Sequence, residues 1–207
     1  MGKSLFIAKQ SSHPRGWFGH IVARVMARET ASANRQAIEH LAVADGDAVL
    51  DIGSGHGRTL SVIAQQVPSA TLAGVDPSDV MLSVARNKCR RLIAANRMQL
   101  ETGTADALRF DDATFDKVVT VHTTYFWPAL EPGLREARRV LREGGRFVIG
   151  FRPSDDPIAV DMLPASVYAL HSIVEMTAAL KRAGFSSVQI ERNDVGRGFI
   201  VWAIATA

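Results

Sequence analysis

Residues 49–57 read Val-Leu-Asp-Ile-Gly-Ser-Gly-His-Gly, an apolar run that carries an acid and passes directly into three glycines at alternate positions. The length and β-branching of residues 49–52 suit a buried parallel strand, and an apolar period of helical type resumes from Arg58 to Val67. The glycines therefore sit at a strand-to-helix turn. Glycine serves such a turn twice over: a positive φ costs it nothing, and without a Cβ a ligand can lie directly against the backbone. A chain that starts its sheet this way is committed to an α/β architecture with a parallel sheet.

Related turns bind dinucleotides, but that fingerprint is G-x-G-x-x-G, with the third glycine one residue further on, inside the helix. Here Arg58 occupies that place. The observed G-x-G-x-G, preceded by Asp51, resembles the first motif of class I methyltransferases that use S-adenosylmethionine. Taken alone, the turn is also compatible with an ordinary glycine-rich connection that binds nothing.

The following acids narrow the choice. Residues 70–75 form a second apolar strand ending on Asp76, then come Pro77 and Ser78 and a helical pattern through Asn96. Pro77 biases Asp76 toward extended backbone, and Ser78 suits a helix N-cap. A carboxylate at this strand end suits two ribose hydroxyls, with a purely capping role as the alternative. Residues 98–103 read as a third strand, followed by Thr104-Ala105-Asp106-Ala107. The resemblance implies that Asp106 accepts from the adenine amino group, that the amide of Ala107 meets the ring, and that Met81 lies along its face. It further implies that Gly53, Ser54, Gly55 and Gly57 lie against the methionine part of S-adenosylmethionine, with Asp51 and Pro77 in the same cofactor site.

The rest of the chain keeps the alternation. Residues 115–121 read as strand four, 134–141 as a helix, Gly144-Gly145 as a turn and 146–151 as strand five. Ser172 with Glu175 three residues on is a capping-box signature, and Gly184 suits the residue closing that helix. Residues 188–191 and 199–205 flank Asp194-Val195-Gly196-Arg197-Gly198 as a hairpin. The expectation is a doubly wound, mostly parallel seven-stranded sheet with helices on both faces and an antiparallel C-terminal edge hairpin, the Rossmann-like methyltransferase fold. One structural domain is expected, with residues 1–45 as a helical extension and 46–207 as the cofactor-binding part.

The chain has 207 residues, 47% of them apolar, enough for a full core without disulfides. Its single cysteine, Cys89, excludes a disulfide framework or a zinc cluster within the chain, and no metal site is expected. The amino terminus lacks a signal-peptide pattern and no run approaches the roughly 20 apolar residues of a membrane span, so the expected location is the cytoplasm. Residues 1–45 hold six basic and three acidic side chains, an excess equal to the net charge of +3 of the whole chain. Within that extension Trp17, Phe18, Ile21, Val22, Val25 and Met26 alternate with His20, Arg24 and Arg28 as on an amphipathic helix. Its apolar face suits a lid over the site; contact with a membrane surface is the alternative. Oligomeric state is not readable.

Strand four is followed by Val121-His122-Thr123-Thr124-Tyr125-Phe126-Trp127-Pro128. The resemblance places this loop beside the transferable methyl group, with His122 or its backbone near the methionine moiety. His122 and Tyr125 are the catalytic candidates; Trp17, Tyr125, Phe126, Trp127 and Arg152 are candidates for holding the acceptor. Three adjacent loop aromatics cannot all face one way, so at least one should serve the core. The loop lacks the Pro-Pro-Tyr run that holds exocyclic nucleobase amines, and from residue 46 onward the chain is electrically neutral, so nucleic acid is not the expected partner. The stretch resembles the small bacterial enzymes grouped with ubiquinone and menaquinone methyltransferases, whose acceptors are small organic molecules. A catalytically silent cofactor-binding subunit and, disfavoured by Arg58, a nicotinamide oxidoreductase remain the competing readings.

Overall fold

A computed structural model of the chain describes residues 31–207. Trp17 and the amphipathic stretch around it lie outside the described residues. Within them the elements run α1 (Ala31–Leu41), β1 (Ala48–Ile52), α2 (Arg58–Gln66), β2 (Thr71–Asp76), α3 (Asp79–Lys88), α4 (Arg90–Ala94), β3 (Met98–Thr102), β4 (Phe115–Val121), a 3-10 turn (Thr124–Phe126), α5 (Leu130–Val140), β5 (Leu141–Phe151), α6 (Pro157–Met162), α7 (Ile173–Arg182), β6 (Ser187–Asp194) and β7 (Phe199–Thr206).

The strands form one sheet in the order β3-β2-β1-β4-β5-β7-β6. Strands β1 to β5 pair in parallel, and β7 runs antiparallel between β5 and β6. Alternate side chains feed two cores. Leu50, Ile52, Val118, Phe147, Ile149 and Val201 are buried on one face of the sheet, and Val49, Val119, Val148, Ile200 and Trp202 on the other. Apolar runs without polar alternation thus mark strands covered on both faces. Helix α1 belongs to this packing: Ala37, Ile38 and Leu41 are buried, Trp202 Nε1 donates to Gln36 Oε1 at 3.1 Å, and Arg146 donates to the carbonyl of His40 at 2.8 Å.

Two elements depart from the sequence expectation. The helix after Ser78 does not run to Asn96 but breaks at Cys89, which is buried; the break lets Leu92 and Ile93 pack on the core around Cys89 and Met98. Strand five starts at Leu141, and Gly144-Gly145 lies inside it as a bulge, since Phe115 pairs with Leu141 but Lys117 already pairs with Arg146. The capping box at Ser172 and Glu175 forms as expected, and Gly184 follows α7 with φ 95°. Among the described residues no helix is long and apolar enough to cross a membrane.

Candidate functional site

The strand order reverses direction at β1, whose neighbours β2 and β4 lead to opposite halves of the sheet. The crevice beyond the carboxyl ends of such strands is where open α/β sheets hold ligands. The glycine turn lies there. Gly53 and Ser54 both donate to the carbonyl of Val75 (2.7 and 3.0 Å), which ties the turn to β2. Gly53 has φ 79°, and a Cβ on it would run into the side chain of Thr123, so the loop after β4 closes directly over this residue. Gly55 and Gly57 also have positive φ (53° and 72°), and a Cβ on Gly55 would come 3.3 Å from Met81 Cε.

Asp76 organises the turn as well as lining it. One carboxylate oxygen accepts from the amide of Gly55 at 2.8 Å, the other from the amide of Ser78 at 2.9 Å. Ser78 in turn caps α3, its hydroxyl accepting from the amide of Met81. Both oxygens of Asp76 thus take part in shaping the turn. Asp51 is buried next to it. Burial, reinforced by the charge of Asp76 and only partly offset by the hydroxyl of Thr59, pushes the Asp51 carboxyl up to about 7. Ser54 Oγ is also buried, with no hydrogen-bond partner among the described residues. Two buried acids and a buried hydroxyl beside a glycine turn fit a ligand that is cationic and rich in hydroxyls. Asp106 and Ala107 are exposed on the loop after β3, the strand beside β2. Pro77 is exposed and Met81 buried.

The loop after β4 forms the other wall. The hydroxyl of Thr120 donates to the carbonyl of Ile52 at 2.8 Å and is in contact with the hydroxyl of Thr123. His122 has φ 58°, a left-handed conformation uncommon for a residue with a side chain, and its amide donates to the carbonyl of Gly150 at 2.7 Å. Its Nδ1 lies 3.0 Å from the hydroxyl of Tyr125, which also accepts from the amide of Arg152 at 2.5 Å. Tyr125 is buried, and burial drives its phenol far above the ordinary range despite Arg152. Its ring meets Phe126 and Tyr168 edge to face at 5.9 and 5.8 Å. Phe126 leans on Tyr168 at 5.0 Å, whereas Trp127 packs on α5, where a Cβ on Gly133 would strike its ring. Tyr125 and Phe126 thus share Tyr168 while Trp127 turns to α5, with Tyr125 the most buried of the three.

Arg152 does not reach into open space. Its guanidinium donates to Asp156 Oδ2 at 2.5 Å and to the carbonyl of Arg197 at 2.9 Å, in the crook of Gly198. Burial alone would raise the Asp156 carboxyl, but Arg152 and the amides of Phe199 and Ile158 hold it below its usual value. This pair fastens the loop after β5 to the terminal hairpin. Thr123, Tyr168 and Asp156 were not singled out by the sequence. Only the spacing of Arg152 and Asp156 hints at such a pairing, whereas Tyr168 sits in a stretch without periodicity.

Seven strands in this order, with acids at the ends of β1 and β2 around a glycine turn, define the Rossmann-like methyltransferase fold. Known proteins of similar sequence and structure agree. A family model described as "Methyltransferase domain" matches residues 49–145. The chain is 25% identical over 185 residues to the uncharacterized methyltransferase YdaC of Bacillus subtilis, covering 89% of this chain and 97% of that one. It is 28% identical over 193 residues to a demethylmenaquinone methyltransferase of Tropheryma whipplei, covering 81% of this chain and 78% of that one. Among solved structures, a chain from the complex of the Haloferax volcanii Trm112 methyltransferase activator with a methyltransferase superposes with TM-score 0.78 at 19% identity, covering 92% of this chain and 96% of that one. The chain thus carries a methyltransferase domain, and the proteins it is similar to indicate S-adenosylmethionine as the cofactor.

Proposed function

We propose that the chain transfers a methyl group from S-adenosylmethionine to a small, largely apolar or aromatic organic acceptor. The observation that carries the donor half is the buried pair Asp51 and Asp76 around the glycine turn, a site whose charge and hydrogen-bonding capacity fit a cationic ligand with ribose hydroxyls. In this reading Asp76 accepts from the ribose, Asp51 faces the cationic amino-acid end, and Gly53, Ser54, Gly55 and Gly57 lie against the methionine part. Met81 lies along the adenine, Asp106 accepts from its amino group, and the Ala107 amide meets the ring edge. When bound, the cofactor supplies a methyl group already activated by its sulfonium charge.

What remains for the protein is alignment, worth up to about 7 to 11 kcal/mol when two reactants are held in register. His122 and Phe126 on the β4 loop, backed by the buried Tyr125 and with Trp127 beside them, form the wall that orients the acceptor. The name of the Tropheryma whipplei relative, a demethylmenaquinone methyltransferase, supports an acceptor of this apolar kind. Calorimetry with S-adenosylmethionine, S-adenosylhomocysteine and NAD tests the donor half: the first two should bind and NAD should not. A turnover screen against a metabolite library tests the acceptor half, and turnover confined to RNA or DNA would overturn it.

A further inference from the structure

The hydrogen bonds around Tyr125 determine the protonation pattern of His122. A backbone amide can only donate, so in the contact between Arg152 N and the Tyr125 hydroxyl, 2.5 Å long, the phenol oxygen accepts. The phenol has a single proton, and its other partner is His122 Nδ1 at 3.0 Å. That nitrogen therefore accepts, and a neutral imidazole that accepts at Nδ1 carries its proton on Nε2. In the reverse arrangement, Nδ1–H donating to the phenol, the oxygen would receive two donors and its own proton would need a third partner. Tyr125 is only 4% exposed, and such a rearrangement would have to occur in the core.

The contact is held from several sides. The left-handed backbone of His122, at φ 58°, is pinned to Gly150, and its ring stacks on Tyr125 at 6.1 Å. Tyr125 is fixed by Phe126 and Tyr168, and its carbonyl accepts from Ala169 at 3.1 Å. Packing alone does not call for the hydroxyl; a phenylalanine would fill the same space without burying a polar group.

Resting on the methyltransferase reading above, we propose that Tyr125 is a positioning residue that holds His122 in the Nε2–H tautomer. His122 then serves methyl transfer as a hydrogen-bond donor and not as a general base. The acceptor class follows: a molecule with an oxygen that accepts a hydrogen bond, such as a carbonyl or phenolate, which reaches the site without needing His122 to remove a proton.

Long-range proton–nitrogen correlation spectra of the ¹⁵N-labelled, cofactor-free protein read the tautomer directly, with His122 assigned by its loss in His122→Gln. The wild type should show an unprotonated Nδ1 and a protonated Nε2, and Tyr125→Phe should move His122 toward a mixture of tautomers. A protonated Nδ1 in the wild type, or a His122 spectrum that a folded Tyr125→Phe leaves unchanged, overturns the proposal; if that variant does not fold, the wild-type spectrum decides alone. This readout requires no methyl transfer, so it fails independently of the functional reading, which calorimetry with S-adenosylmethionine checks. With an acceptor in hand, His122→Gln keeps an N–H donor but no base, and its rate should stay within about tenfold of wild type. A loss of about a hundredfold or more, the range of general-base catalysis, also overturns the donor role.

Discussion

Replacing Asp51 by asparagine isolates the effect of one buried proton. The Asp51 carboxyl ionises at about 7 in the folded chain, against an ordinary value of 3.8. Between those values the folded state keeps a proton that the unfolded state has lost, so this group's contribution to stability is full below about pH 4, falls as pH rises, and is level above about pH 8. At about 1.36 kcal/mol per pH interval of one, the whole effect approaches about 4 kcal/mol, of which about 2 to 3 kcal/mol falls between pH 5 and pH 8. The asparagine amide retains an acceptor for Thr59 but has no proton to lose. The stability of Asp51→Asn relative to wild type should therefore rise across that range, by about 1 M in urea midpoint for an m value of about 2 kcal/mol per M. The assay is urea unfolding of both proteins without cofactor at half-unit pH steps. Binding of a cationic ligand favours the ionised carboxylate. Wild-type affinity for S-adenosylmethionine should thus climb with pH up to about 7, by at most tenfold per unit, with proton release seen as a buffer-dependent heat. Parallel unfolding curves for the two proteins, or binding without proton release, would refute the reasoning.

Three further outcomes are expected. Asp76→Asn turns one oxygen into an amide group that confronts the N–H of Gly55 or Ser78, so cofactor affinity should drop at least about tenfold, the loss of a charge-assisted bond of about 1.5 to 3 kcal/mol, with a lower melting temperature in a chain that still folds. Gly53→Ala should destabilise by about 1 to 3 kcal/mol, and Thr123→Ser, which removes the methyl in the way, should recover the steric part but not the cost of φ 79°; strict additivity of the two changes in thermal melts would dismiss the contact. Trp127→Ala should damage the acceptor step by about 2 kcal/mol in kcat/KM while calorimetry shows nearly unchanged cofactor affinity; an effect confined to stability would make the ring a prop for α5 alone.

The sheet was legible where its inner strands are buried on both faces: an uninterrupted apolar run such as residues 199–205 needs no partner information to be recognised. The glycine turn was legible for a similar reason, since glycine, acid and strand end are adjacent in sequence. The break at Cys89 was not, because α3 and the residues after it share one helical period and only the position of Met98 on the core decides where the chain must turn. Nor was the bulge in β5, where Gly144-Gly145 has the composition of a turn and only the pairing with Phe115 and Lys117 shows otherwise. The loop after β4 was read in part: Tyr125 and His122 were named, but Tyr168, which packs against Tyr125, is distant in sequence and carries no pattern. Arg152 was a candidate for holding the acceptor, and in the structure it pairs with Asp156, four residues on.

The bonds that shape the glycine turn all come from the chain itself: Val75 holds Gly53 and Ser54, and Asp76 holds Gly55 while tying it to the start of α3. The conformational entropy of this loop is therefore surrendered when the protein folds, not when a ligand arrives. Binding to such a preorganised surface bears little ordering cost, and the heat of cofactor binding should report contacts and proton release with scarcely any contribution from loop freezing.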